Sequence, residues 1–191
     1  VMIDPKDFRI VKRFMNDEEI EVRLAEWSKD GDKILAITAQ NDIYIINVDG
    51  DYRRIDVDLK EDVSISWACW SPDGSKIIIA SDKRIMLLEE ERNEWYMKNE
   101  VSFESKIYMA MWSPTDNRIA VSLSNGTILI LNDELAVMKR LGKISKNMPC
   151  SIEWSKNGVY LACLAKRHVY IIDMRTGRKI WILRILSLIH I

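Results

Sequence analysis

The chain is poor in the residues that most soluble enzymes use for chemistry. Its 191 residues include 7 glycines, 3 cysteines and 2 histidines. The glycines are scattered singly among turns, so no glycine-rich loop is present to cradle a phosphate. His168 and His190 are far apart, and Cys69, Cys150 and Cys163 show no CxxC spacing, so no zinc-ligand pattern forms. No GxSxG elbow occurs, and a Ser–His–acid arrangement would have to recruit His168, which reads as a surface residue flanking a turn. An odd number of cysteines among apolar neighbours reads as buried free thiols in a reducing compartment, hence a cytoplasmic location. Neither sign of charge dominates: 28 basic against 29 acidic residues leave a net charge of −1, which argues against a dedicated nucleic-acid surface. Ile180–Ile191 is too short, and too interrupted by Arg184, to span a membrane. No secretory signal pattern opens the chain, although Val1 before Met2 leaves its true start open. The expectation is a protein with no catalytic residue, no metal and no cofactor.

What the sequence does have is repetition. Trp27-Ser28-Lys29-Asp30-Gly31, Trp70-Ser71-Pro72-Asp73-Gly74, Trp112-Ser113-Pro114-Thr115-Asp116 and Trp154-Ser155-Lys156-Asn157-Gly158 are variants of one phrase, with their tryptophans 43, 42 and 42 residues apart. A fixed period of this length marks repeat architecture. Each phrase is followed by an apolar run, a short turn and a second apolar run. In the second copy the turn Pro72-Asp73-Gly74 combines a preset φ, a side chain that bonds its own backbone and a residue that accepts positive φ. Lys76–Ala80 is β-branched and too short for a helix, so it reads as a buried strand.

Each unit therefore reads as four antiparallel strands, graded from apolar to polar along the chain. The units span about residues 22–59, 63–99, 107–141 and 150–184, and residues 7–16 read as an outer strand belonging to another blade. One such sheet has two apolar faces and must stack against copies of itself, with the repeated tryptophans packing between neighbours. No linker or charge block interrupts residues 1–185, so one domain is expected. The fold class expected is all-β, a β-propeller of four-stranded blades.

The Trp-Ser-Pro-Asp-Gly turn, followed by an apolar strand, a turn and a strand ending near Asp173, resembles the WD40-type β-propeller repeat family over about residues 7–184. The match is divergent. Ile172 stands before Asp173 where the family has Trp, and no repeat keeps the Trp-Asp or Gly-His pair. Asp42 and Asp82 occupy the turn where the family's tetrad Asp belongs, with Asn125 and Arg167 at the equivalent places in the third and fourth repeats. The structural repeat positions are thus Trp27, Trp70, Trp112, Trp154, Asp42, Asp82 and Asp173.

Four blades are fewer than WD40-type rings usually hold, so the chain reads as part of a larger ring. Residues 186–191, Leu-Ser-Leu-Ile-His-Ile, match the translation of a transposase adapter used in library preparation and read as a non-native tail. A partial ring leaves open blade faces, through which the chain is expected to self-associate.

For function, the resemblance implies a non-enzymatic scaffold that mediates protein–protein interaction and complex assembly, with protein or peptide partners and neither nucleic acid nor membrane. Two alternatives share the turn motif: the propeller of a larger serine hydrolase or peptidase, and a TolB-like envelope propeller. The strand-opening residues four before each Trp are Arg23, Ser66, Tyr108 and Cys150, and they face one mouth of the ring. Loops on a rigid scaffold are the usual place for recognition. Arg23, Tyr108, Lys106 and Trp67 are the candidate partner-binding residues, since Tyr, Trp and Arg carry interface energy when central. Trp67 also fits a core role, because it lies on the strand face opposite Trp70.

Overall fold

The computed structural model describes residues 2–3, 10–12, 20–57, 64–144 and 149–184, with 2–3, 10–12 and 181–184 described as backbone only. Most of the expected outer strand at 7–16, the middle of the connection 142–149 and the tail 186–191 lie outside the described residues. The chain divides into two compact units, Val1–Leu59 and Lys60–Ile191.

In the first unit β1 (Met2–Ile3) pairs antiparallel with β2 (Ile10–Lys12). The first blade follows: β3 (Val22–Trp27), β4 (Lys33–Thr38), β5 (Ile43–Asn47) and β6 (Tyr52–Ile55), hydrogen-bonded in chain order.

The second unit holds three blades of the same kind. They are β7 (Ile65–Trp70), β8 (Lys76–Ser81), β9 (Arg84–Glu91) and β10 (Glu94–Ser102); then β11 (Ile107–Trp112), β12 (Ile119–Leu123), β13 (Thr127–Leu131) and β14 (Val137–Lys143); then β15 (Ser151–Trp154), β16 (Tyr160–Ala165), β17 (His168–Asp173) and β18 (Arg178–Arg184). Every pair is antiparallel between consecutive strands, and there is no helix among the described residues.

The repeated phrase builds each blade's first turn through its serine. Ser28 Oγ donates to Asp30 Oδ1 at 2.6 Å, Ser71 Oγ to Asp73 Oδ1 at 2.6 Å, and Ser155 Oγ to Asn157 Oδ1 at 2.7 Å. The same hydroxyls accept the main-chain N–H of Lys33, Lys76 and Tyr160, at 2.9 Å in each case. One small side chain thus satisfies two polar groups where the strand reverses, as Ser and Asp do in turns generally. In the third blade the aspartate falls one residue later. There Asp116 Oδ1 accepts the main-chain N–H of Arg118 at 3.1 Å, and the Ser113 N–H still donates to Arg118 O at 2.7 Å.

Burial does not simply fall from first strand to fourth. It peaks in the middle pair: every residue of β12 and β13 is buried, whereas β14 is mostly exposed and β11 alternates. First and fourth strands are the edges of their sheet, and only the middle two have a strand on both sides. The apolar runs are needed because both faces of a blade are covered. Ile119, Val121, Leu129 and Leu131 pack with Cys69, Ile78 and Leu87 of the blade before, while Ala120, Ile128 and Ile130 pack with Cys150, Ile152 and Leu161 of the blade after. Each of the buried Ile, Leu and Val side chains contributes roughly 1.5–3 kcal/mol of transfer free energy.

Trp112 and Trp154 sit in these inter-blade clusters at 7% and 6% exposure, and Trp70 is 6% exposed with Trp95 edge-on to it at 5.6 Å. Trp27 departs from the core role expected of it, with half of its surface exposed. Trp112 and Trp154 each pack with side chains of the blade that precedes them, and no described blade precedes β3 in the chain. The last strand of the third blade is set by the turn before it. It starts at Val137, because Leu135 takes a positive φ of 63° in a turn where Asn132 Oδ1 accepts the N–H of Glu134 and Ala136, at 3.1 and 2.8 Å.

Candidate functional site: the bulged strand openings

The first strand of a blade must begin pairing just after a connection from the previous blade. In three blades it does so with a register shift at the same place. Val22 pairs with Thr38 and Leu24 with Ile37, skipping Arg23. Ile65 pairs with Ser81 and Trp67 with Ala80, skipping Ser66. Ile107 pairs with Leu123 and Met109 with Ser122, skipping Tyr108. A bulge of this kind leaves one residue out of the ladder and re-aims its side chain. All three skipped residues are exposed. The fourth blade has no such shift: its pairing starts at Ser151 with Leu164, and Cys150 is fully buried beside the third blade, its N–H 3.4 Å from Ser122 Oγ. A small apolar side chain with no bulge to lift it is drawn into the core, so Cys150 leaves the set of solvent-facing openings.

The three bulged residues differ in chemistry. Arg23 Nη2 donates to Asn41 Oδ1 at 3.1 Å, tying the opening of β3 to the turn after β4. Ser66 Oγ donates to Ala80 O at 3.1 Å. Tyr108 is 47% exposed, and among the described residues nothing bonds its hydroxyl. Lys106, two residues before Tyr108, forms an ion pair with Asp82 Oδ1 at 3.0 Å across two blades. Main-chain bonds hold the same seam: Ile107 N–H donates to Asp82 O at 2.6 Å and Phe103 N–H to Lys83 O at 2.8 Å. Trp67 is half-buried and packs against the cluster shared by the second and third blades, so its ring belongs chiefly to the core. Asp42 pairs with Arg54 Nη2 at 3.0 Å. Asp173 is buried at the far end of β17; hydrogen bonds from the Arg175 side chain and main chain hold its carboxyl below the usual range.

The family model of eukaryotic translation initiation factor eIF2A matches residues 12–184. The chain belongs to the eIF2A family. Its fold is that of a WD40-type β-propeller. Over 87% of its length this eIF2A-family chain is similar to the β-propeller domain of Cps50 (Swd1) from Myceliophteria thermophila, at a TM-score of 0.72 and 19% identity, covering 56% of that chain. A chain of the mitotic checkpoint complex matches 85% of it at a TM-score of 0.71 and 15% identity, over 51% of its own length. Among curated proteins, apoptotic protease-activating factor 1 of Danio rerio is 30% identical over 120 residues, 62% of this chain and 9% of its own length. Human Tubby-related protein 4 is 24% identical over 115 residues, 59% of this chain and 7% of its own length. The eIF2A-family chain therefore spans a small part of these curated relatives and about half of the solved chains.

Burial first, and then neighbouring Cys150, pushes the Cys163 thiol up to about 12, so it stays protonated at neutral pH. His168 stacks on Tyr170 at 6.0 Å, half-buried at the start of β17, and among the described residues no three His, Cys, Asp or Glu side chains gather where a metal would bind.

One feature of the eIF2A-family blades was not anticipated. Six residues after the tryptophan stands a base in three repeats, Lys33, Lys76 and Arg118, and in the second unit it reaches forward into the next blade. Lys76 Nζ lies 2.9 Å from Asp133 Oδ2, and Arg118 Nη2 donates to Gly158 O at 3.0 Å. The common offset from Trp was the available signal.

Proposed function

We propose that this chain is a non-enzymatic WD40-type scaffold that holds protein or peptide partners at the mouth ends of its blades and brings them into larger complexes. The observation that carries this reading is the repeated bulge. Arg23, Ser66 and Tyr108 are each lifted out of the ladder and exposed, on strands whose remaining residues are fixed by pairing and packing. A side chain presented from a rigid sheet loses little further freedom on binding, which favours affinity. Arg23 is the principal contact on the first unit and Tyr108 on the second, with Lys106 beside Tyr108 and Trp67 as a further contact on the second unit's first blade. The family's name supports a setting in translation initiation, and hence the cytoplasm. One of the structural neighbours comes from a named multi-protein complex, which supports protein partners.

Site-specific photo-crosslinking tests this. With a photoreactive phenylalanine at position 108, protein adducts are expected that are lost when the same probe stands at Met138 on the exposed β14 strand. Adducts formed at Met138 and absent at position 108 would move recognition to the outer strands and overturn the reading.

A further inference from the structure

The two ends of the second unit differ in charge. At the mouth end lie the turns after β8, β12 and β16 and the connection into β11. Lys83 occupies the first of these turns, and Lys166 and Arg167 form the third, all exposed. Among the described residues no side-chain ion pair engages any of the three. Among the described residues the acids at this end are Asp82, paired with Lys106, Glu100, paired with Arg84, and Glu104. The opposite end gathers Glu89, Glu90, Glu91, Asp133, Glu134 and the turn aspartates. Four of its bases are committed, Lys76 and Lys98 to Glu89, Asp133 and Glu134, Arg118 to Asp116, and Arg175 to Asp173, while Arg92, Lys156 and Arg178 stand exposed among this larger number of carboxylates. Among the described residues, bases without an ion pair thus outnumber carboxylates without one at the mouth end, whereas carboxylates predominate at the other.

We propose that the mouth end of the second unit docks an acidic segment of a protein partner. Carboxylates of that segment meet Lys83 on one side and Lys166-Arg167 on the other, and Tyr108, in the blade between, takes an apolar side chain. This rests on the mouth reading above and adds the chemistry of the partner. The Lys106–Asp82 pair, with Lys106 71% and Asp82 44% exposed, is weak enough to exchange for a partner carboxylate. Separated cations favour a protein segment over nucleic acid. A nucleic-acid strand would set a phosphate against Asp82 and Glu104 as well, and would find one exposed ring to stack on where such sites use several.

The test is fluorescence anisotropy with the whole chain and three labelled probes: a short peptide alternating Glu and Asp with Leu, the same peptide with Gln and Asn, and a single-stranded RNA. The acidic peptide is expected to bind at least about tenfold more tightly than the neutral one, with the difference shrinking between about 50 mM and about 300 mM salt. Lys166→Glu with Arg167→Glu should abolish most of that preference, while Lys156→Glu at the opposite end leaves it unchanged. Equal binding of both peptides, lost in Tyr108→Ala, would overturn the acidic partner and leave the mouth reading standing. RNA bound more tightly than either peptide, and dependent on Lys166 and Arg167, would overturn it in favour of nucleic acid. No acidic-peptide binding overturns it outright, and the crosslinking result then decides the mouth reading separately.

Discussion

The guanidinium carbon of Arg118 stands 5.2 Å from the centroid of the Trp154 ring, while Nη2 of the same side chain donates to Gly158 O at 3.0 Å. Asp116 grips the guanidinium from its own blade through Arg118 Nε at 2.8 Å. One side chain thus joins the turn of the third blade to both the tryptophan and the turn of the fourth.

Arg118→Ala should therefore cost about 1–3 kcal/mol, combining a cation–π contact with a charged hydrogen bond. Arg118→Lys should recover less than half of the loss, since a point charge cannot stack and donate in fixed directions together. Urea unfolding followed by tryptophan fluorescence measures both.

Trp112 and Trp27 occupy the same place in their repeats but differ in cover. Trp112→Ala should cost about 3–5 kcal/mol, the range for a buried large side chain that leaves a cavity. Trp27→Ala should cost about 1 kcal/mol, since half of the ring is already in water. Equal losses in thermal unfolding of the two variants would mean that Trp27 is covered in solution.

Gly158 and Gly74 both have positive φ, 64° and 73°. A Cβ at Gly74 meets open space, whereas one at Gly158 would collide with Thr115 Oγ1 and crowd Ser113 Oγ. Gly74→Ala should cost about 1 kcal/mol from backbone strain, and Gly158→Ala clearly more because the seam between blades must also open. Differential scanning calorimetry on both proteins gives the comparison.

Several carboxyls sit below their usual range. For Asp30 the main cause is the Ser28 hydroxyl. For Asp73 burial works the other way but is outweighed by Ser71 and Ser75; for Asp116 burial likewise opposes, outweighed by Arg118 and Ser113. A folded-state value below the unfolded one, near 3.9 for Asp, contributes stability that is present above that value and lost as pH falls through the folded one. Stability should hold from neutral pH to about pH 5 and then decline as these groups protonate. Asp73→Asn should flatten the acid limb of a plot of urea midpoint against pH, leaving the neutral-pH slope unchanged.

The blade boundaries were legible because a tryptophan, a serine and a turn recur at a near-constant period, and local chemistry alone makes that turn. The bulges were not. Ile65-Ser66-Trp67 reads as plain alternation, and a one-residue slip is decided by how the strand meets its partner rather than by its own residues. Trp27 could not be told from Trp70, since its local phrase is the same and its burial depends on another blade. The pairing of Lys76 with Asp133 spans 57 positions, and no local pattern encodes it. The offset to Trp picks out Arg23 and Tyr108 as candidates but does not reveal the bulge that leaves them exposed.

The bulge has a consequence for how such a protein can change. A residue left out of the ladder and out of the core carries little folding obligation beyond a local bond such as that of Arg23 to Asn41 or Ser66 to Ala80. Equivalent positions here hold a cation, a hydroxyl and a phenol on closely similar frames. Substitution at Arg23, Ser66 or Tyr108 should therefore leave the assembly of the sheet largely intact, so that, on the function proposed above, partner choice and foldability are written in separate residues.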